Sequence, residues 1–151
     1  FSKDIFDFVC NISKLRKEHE LLHFKQELLA MDSIACGYPD ISYHGTEAWR
    51  PDTSYISRMI GIMLYGEYSH TSHSESLYIA YNMHWEAHEL ALPKLPKGKE
   101  WCPLFTTDDT MSTCSINENM VLIQGRTVAI YISKTNPAMN TKKHSKEKKV
   151  S

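Results

Sequence analysis

From Arg58 to Ser133 the chain is a succession of short β-forming runs, parted by turn residues and with no helical pattern between them. This constrains the fold more than any other feature. "MIGIMLY" (59–65) is a continuous apolar run of the length of a strand buried on both faces. "SLYIAYN" (76–82) is rich in β-formers and ends at Asn82, and "HELALP" (88–93) sets Leu90 and Leu92 against Glu89 and Ala91. "EWCPLFT" (100–106), "NMVLIQ" (119–124) and "RTVAIYIS" (126–133) follow, the last two joined through Gln124 and Gly125 as a hairpin would be. The segments "GEYSHTSHSES" and "PKLPKGKE" read as turns. Strands spaced about ten residues apart in this way predict a mainly β protein, an antiparallel β-sandwich.

The N-terminal part has a different period. Ile5, Phe8, Val9, Ile12 and Leu15 recur at helical spacing, with Ser2 placed to cap the start and Lys14, Arg16 and Lys17 at the negative end. A second, shorter helix is predicted over His23 to Met31, "HFKQELLAM", with Gln26 and Glu27 facing water. After Gly37 the stretch "GYPDISYHGTEAWRPDTSY" is dense in Gly, Pro, Asp and Ser. It reads as a long ordered loop carrying Tyr38, Tyr43, His44, Trp49 and Tyr55. The tail from Lys134 holds six Lys against one Glu and has almost nothing to bury, so disorder is expected there. The predicted division is therefore a helical segment (1–36), the aromatic loop with the sandwich (37–133), and a basic tail (134–151).

Charge and composition exclude some functions. The whole chain carries a formal charge of −1, which leaves about −6 on residues 1–133 once the tail is set aside. An acidic body argues against nucleic-acid binding, which wants a basic face. No apolar run approaches the ~20 residues of a membrane helix, so no membrane partner is expected. The chain opens on Phe1 without a signal-peptide pattern, and it reads as a piece of something longer. Cys10, Cys36, Cys102 and Cys114 lie far apart with no CxxC pair, which suits a reducing, cytoplasmic setting.

Chemistry-bearing motifs are few. "YNMHWEAHELALP" (81–93) places His84, Glu86, His88 and Glu89 close in sequence. A zincin helix needs H-E-x-x-H, and here the Glu stands between the histidines and the flanks are strands. On an extended chain the three would share one face at period two and would hold a metal only with a further ligand. The reading is a strand-to-strand connection, with no metal and no cofactor, and His70 and His73 in "SHTSHSE" are read the same way. Asp40, Glu47 and Asp52 could pair for glycoside hydrolysis, but acids in turns mostly bond their own backbone. Nucleotide-binding and nucleophile-elbow motifs are absent from the sequence.

Longer phrases carry a resemblance. "LRKEHELL" is similar to the end of the last barrel helix in the α-amylase clan, where L-R-K-x-H-P-x-L is usual. "DISYHGTEAWRPDTSYISRMIGIMLYG" and "LYIAYNMHWEAHELALPKLPKGKEW" resemble the C-terminal region of bacterial glycogen-debranching enzymes, isoamylases and type I pullulanases. Those carry a W/Y-H-G phrase, a P-D-x-S-x-x-S-R phrase and an N-x-x-W-E-x-x-x-F-x-L-P phrase, and "GRTVAIYI" is similar to their closing strand. The resemblance covers about residues 3–133. Glu20, Leu90 and Gln124 depart from it, where the family often has Pro, Phe and Pro.

The resemblance implies the last barrel helix and the C-terminal β-sandwich of an α-glucan debranching glycoside hydrolase. Its partner would be the catalytic (β/α)8 barrel of the parent enzyme. The clan's Asp nucleophile, Glu acid/base and second Asp lie upstream of that helix, so no catalytic residue carries over. The piece is then a stabilising domain without catalysis of its own. A second reading is a stand-alone α-glucan-binding module, with Tyr38, Tyr43, His44, Trp49 and Trp85 as the sugar platform. A third, an unrelated sandwich adaptor, explains the strands but not the phrases. Buried Trp49 or Trp85 would cost several kcal/mol on replacement by Ala.

Overall fold

The structure is a computed structural model, and it describes residues 3–70, 74–108 and 116–136. Ser2, His73, Cys114 and nearly all of the predicted tail lie outside the described residues. Among the described residues one α-helix, α1 (Lys3–Glu18), precedes eight strands: β1 (Ile41–His44), β2 (Met59–Leu64), β3 (Leu77–Asn82), β4 (His88–Ala91), β5 (Lys99–Thr106), β6 (Ile116–Asn117), β7 (Met120–Ile123) and β8 (Thr127–Thr135). All pairings are antiparallel, in a five-stranded sheet ordered β1-β2-β3-β8-β5 and a three-stranded sheet ordered β4-β7-β6. The predicted mainly β sandwich with an N-terminal helix is what forms.

Period two explains why the five-stranded sheet is covered on both faces. Met63, Tyr78, Ala80, Ala129 and Tyr131 project one way and meet Leu90, Val121 and Ile123 of the smaller sheet. Leu64, Leu77, Ile130 and Ile132 project the other way, with Ile79 and Phe105 against them, and that outer face is covered by Leu15, Leu21, Leu22, Phe24 and Leu28. "MIGIMLY" accordingly reads as a continuous apolar run because both of its sides pack.

Gly61 is a packing requirement of the inner face. A Cβ there would lie 1.8 Å from the Tyr78 hydroxyl oxygen. That hydroxyl donates to the Ala91 carbonyl at 3.0 Å and so ties the two sheets together. Pro103 is tolerated because β5 is an edge strand, and the register shifts between Pro103 and Phe105.

Three local expectations are corrected. The helix predicted over His23–Met31 does not form: α1 ends at Glu18, a 3-10 turn spans Glu20–Leu22, and the chain then runs irregularly. Leu21 of the turn and Phe24 and Leu28 of the irregular path pack on the sheet, the Leu29 N–H donates to the Asp40 carboxylate at 2.7 Å, and Ala30 takes a positive φ of 53°. Tertiary contacts outweigh helix propensity here. The aromatic loop contains a strand, β1, whose Ile41–His44 pair with Leu64–Gly61 at the sheet edge.

The predicted hairpin between residues 119–124 and 126–133 is absent, because β7 and β8 belong to different sheets. The Gln124–Gly125–Arg126 turn carries the chain across the sandwich, with Arg126 at φ 57°. β7 pairs instead with β6, through Glu118 and Asn119 at φ 48° and 65°. That is the sign pattern a two-residue hairpin turn requires.

Candidate functional site

Two clusters gather the residues singled out above. The first sits where β1 leaves the sheet. His44 is fully buried, and its Nδ1 accepts the Trp49 backbone N–H at 2.9 Å, so the Nε2 proton points to Ser42 Oγ, also at 2.9 Å. Burial pushes the His44 pKa down to about 4. The imidazole is therefore a neutral post that holds Trp49 at φ 68° with its ring edge-on to His44, 4.8 Å between centres.

Tyr38 completes this cluster. It stacks on Tyr65 at 4.3 Å, lies 6.0 Å from the Trp49 ring, and donates its hydroxyl to the Lys94 carbonyl. Trp49 keeps 45% of its surface exposed. Tyr43 belongs to the same strand but faces the other way, as period two demands, with Ile41 packed on the outer face. The structure thus brings Tyr38, His44 and Trp49 together and leaves Tyr43 apart.

Two carboxylates of this region serve the backbone and a third pairs with an arginine. Asp40 is buried and accepts from the N–H groups of Leu29 and Ile41, both at 2.7 Å. Asp52 accepts from the Ser54 N–H, and Glu47 pairs with Arg50 at 2.9 Å on the surface. Each of the three thus has a partner within the domain.

The second cluster is the β3–β4 connection. Asn82 is fully buried; its amide donates to the carbonyls of Glu86, Ile123 and Gln124 at 2.8, 2.9 and 3.1 Å, and its oxygen accepts the His84 N–H at 2.9 Å. The Arg126 N–H donates to the His84 carbonyl at 2.8 Å. Gly125 packs so closely on this loop that a Cβ would meet the Trp85 carbonyl oxygen at 2.3 Å.

Held in this way, the loop displays its side chains. Trp85 is 62% exposed, stacks on His84 at 4.0 Å, and carries the Arg58 guanidinium 5.5 Å from its ring centre. His84 and His88 meet edge-on, with Nδ1 and Nε2 3.1 Å apart, and one ligand atom from each of His84, Glu86 and His88 lies within 4.8 Å of the others. The chain is bent at this point and not extended, so the three converge without sharing a strand face.

Asn82 and Arg58 are the working residues that sequence reasoning missed. Asn82 could have been suspected as a polar residue closing an apolar strand, whereas Arg58 gave no signal beyond its place in the P-D-x-S-x-x-S-R phrase.

The comparison with known families converges with this picture. Residues 42–143 match the model of the family described as isoamylase 1-3, C-terminal. No curated protein matches the chain. Among the described residues no helix is long and apolar enough to cross a membrane.

Proposed function

We propose, from the premise that the chain belongs to the family of isoamylase 1-3 C-terminal domains, that it is the non-catalytic, stabilising domain of an α-glucan debranching hydrolase. Its partner is that enzyme's catalytic (β/α)8 barrel. The observation that carries this reading is the state of α1. The helix buries no residue; Phe8, Ile12 and Leu15 overlook an apolar cleft of about 390 Å³ against the sheet's outer face, and Ile5, Phe6 and Val9 stand 53%, 65% and 55% exposed on the remaining surface. A row of large apolar side chains on one helix marks an unfilled interface. Covering such side chains is worth about 2 kcal/mol each before entropy.

The carboxylates support the same reading, since Asp40, Glu47 and Asp52 are engaged in holding turns and the surface. Cys10, Cys36 and Cys102 are free thiols, which favours the reducing cytoplasm for the parent enzyme. The division into 1–36, 37–133 and 134–151 separates the docking helix, the sandwich and a basic tail.

The test is to place Ile5→Asp and Val9→Asp in the complete debranching enzyme. The reading expects kcat at low temperature to persist while the half-life on heating shortens several-fold. An equal loss of kcat would assign α1 to the chemistry instead.

A second reading, an α-glucan-binding module, is favoured by the exposed rings of Trp49 and Trp85. Flat indole faces suit the C–H faces of glucose. The mobility of the 151-residue chain in a native gel cast with amylopectin, against a non-binding protein, separates the two: selective retardation supports the module, and unchanged mobility of the folded chain removes it.

A further inference from the structure

We propose that His84, Glu86 and His88 form a three-ligand site for a divalent transition cation of the zinc class, on the β3–β4 loop and independent of the docking role of α1. The sequence pattern by itself reads against this, because an extended chain needs a further ligand from elsewhere. The bend at residues 84–86 changes that geometry. One ligand atom of each residue comes within 4.8 Å of the other two.

The histidine pair sets the closest distance. Two imidazole nitrogens bound to zinc at 2.0–2.1 Å in a tetrahedron stand about 3.3 Å apart. His84 Nδ1 and His88 Nε2 are 3.1 Å apart with their rings nearly perpendicular, at 85°. In the metal-free pair a single proton must hold these two nitrogens together; a cation between them would replace it and satisfy both lone pairs. The Glu86 N–H also donates to His84 Nδ1, at 3.1 Å, and must turn to water when the cation enters. That N–H is at the exposed side of the loop, so the exchange is inexpensive.

Glu86 supplies the charge. Among the described residues its carboxylate has no ion pair or hydrogen bond, and Arg58 sits over the Trp85 ring and not on Glu86. The side chain is exposed, which gives an open path for the ion and a free coordination position for water. Two imidazoles with one carboxylate and an open position are a donor set that suits zinc.

The loop is also built to hold this arrangement. Asn82 fixes the backbone of both His84 and Glu86, and the Arg126 N–H fixes the His84 carbonyl. Such outer contacts orient ligands before the metal arrives, and their loss usually weakens binding 10- to 100-fold.

The experiment is calorimetric titration of zinc chloride into the whole 151-residue chain carrying Cys10→Ser, to remove an exposed thiol, with cobalt(II) visible absorption as a second readout. One equivalent is expected to bind. His84→Ala and His88→Ala should each weaken it at least tenfold, Glu86→Gln should weaken it less, and His23→Ala should leave it unchanged, with circular dichroism showing every variant folded. Absence of zinc binding to the folded chain, or binding that survives both His84→Ala and His88→Ala, overturns the site.

Discussion

The Arg58 guanidinium lies 5.5 Å from the centre of the Trp85 ring, joining the end of the aromatic loop to the β3–β4 connection. The Met83 N–H donating to the Arg58 carbonyl at 2.8 Å reinforces the same junction. Two phrases well separated in sequence are thus one structural unit at one end of the sandwich.

The exposure of that unit decides what its tryptophan contributes. Trp85→Ala should cost less than about 1 kcal/mol, the scale of an exposed cation–π contact. Trp101 is 8% exposed and donates its Nε1–H to the Pro93 carbonyl at 2.9 Å, so Trp101→Ala should cost about 3–5 kcal/mol. Urea titration of the two variants checks the contrast, and equal costs would mean that Trp85 is a core residue.

Asn82 should behave in the opposite way to Trp85. Replacing it by Ala leaves the carbonyls of Ile123 and Gln124 and the His84 N–H without their amide partner. A loss of about 3 kcal/mol is expected in thermal unfolding. Asn82→Asp should cost more, because a carboxylate would face three carbonyl oxygens.

Space, and not backbone conformation, makes Gly61 obligatory. Gly61→Ala should destabilise by at least about 2 kcal/mol, since the new methyl would meet the fully buried Tyr78 ring. Gly37→Ala provides the comparison: nothing lies within 4 Å of its Cβ position, and only its φ of +90° resists, at about 1 kcal/mol. A chemical denaturation midpoint that fell more for Gly37→Ala than for Gly61→Ala would contradict the packing account.

His44 gives the chain an acid sensitivity. Its folded pKa, about 4, is below the ordinary value of 6.5, so the neutral form is the one that folding favours. The stability that this contributes is fully present above pH 6.5 and is lost as the pH falls toward 4, by an amount on the order of 3 kcal/mol. His44→Gln should flatten this part of the stability profile measured by urea titration at a series of pH values. An unchanged slope would show that another group titrates.

The strands were legible in the sequence because both faces of β2, β3 and β8 are apolar, and β-formers such as Ile62, Ile79 and Val128 fill them. The amphipathic α1 was legible for the analogous reason. The irregular segment from His23 was not, since its local composition favours a helix while the packing of Phe24 and Leu28 on the sheet dictates otherwise. β1 was hidden among turn residues, because an edge strand of four residues needs only Ser42 and His44 buried. The sheet crossing at Gly125 was likewise hidden, being set by contacts with Trp85 and Asn82 that are distant in sequence.

The candidate sugar platform was legible as composition but not as geometry. Tyr38, His44 and Trp49 do gather, yet His44 is buried as a hydrogen-bonding post. Tyr43 faces the opposite side of β1, and Trp85 stands on a different loop. Period two and burial, which determine these directions, are properties of the folded sheet.

The role proposed for α1 is that of the docking element through which this domain stabilises a catalytic barrel. The most direct measurement is the heat-inactivation half-life of the parent's isolated barrel, with and without the separate 151-residue chain added. The chain should lengthen the half-life, and the Ile5→Asp, Val9→Asp chain, shown to be folded by circular dichroism, should not. An unchanged half-life in the presence of the folded wild-type chain, or equal protection by the substituted one, would contradict it.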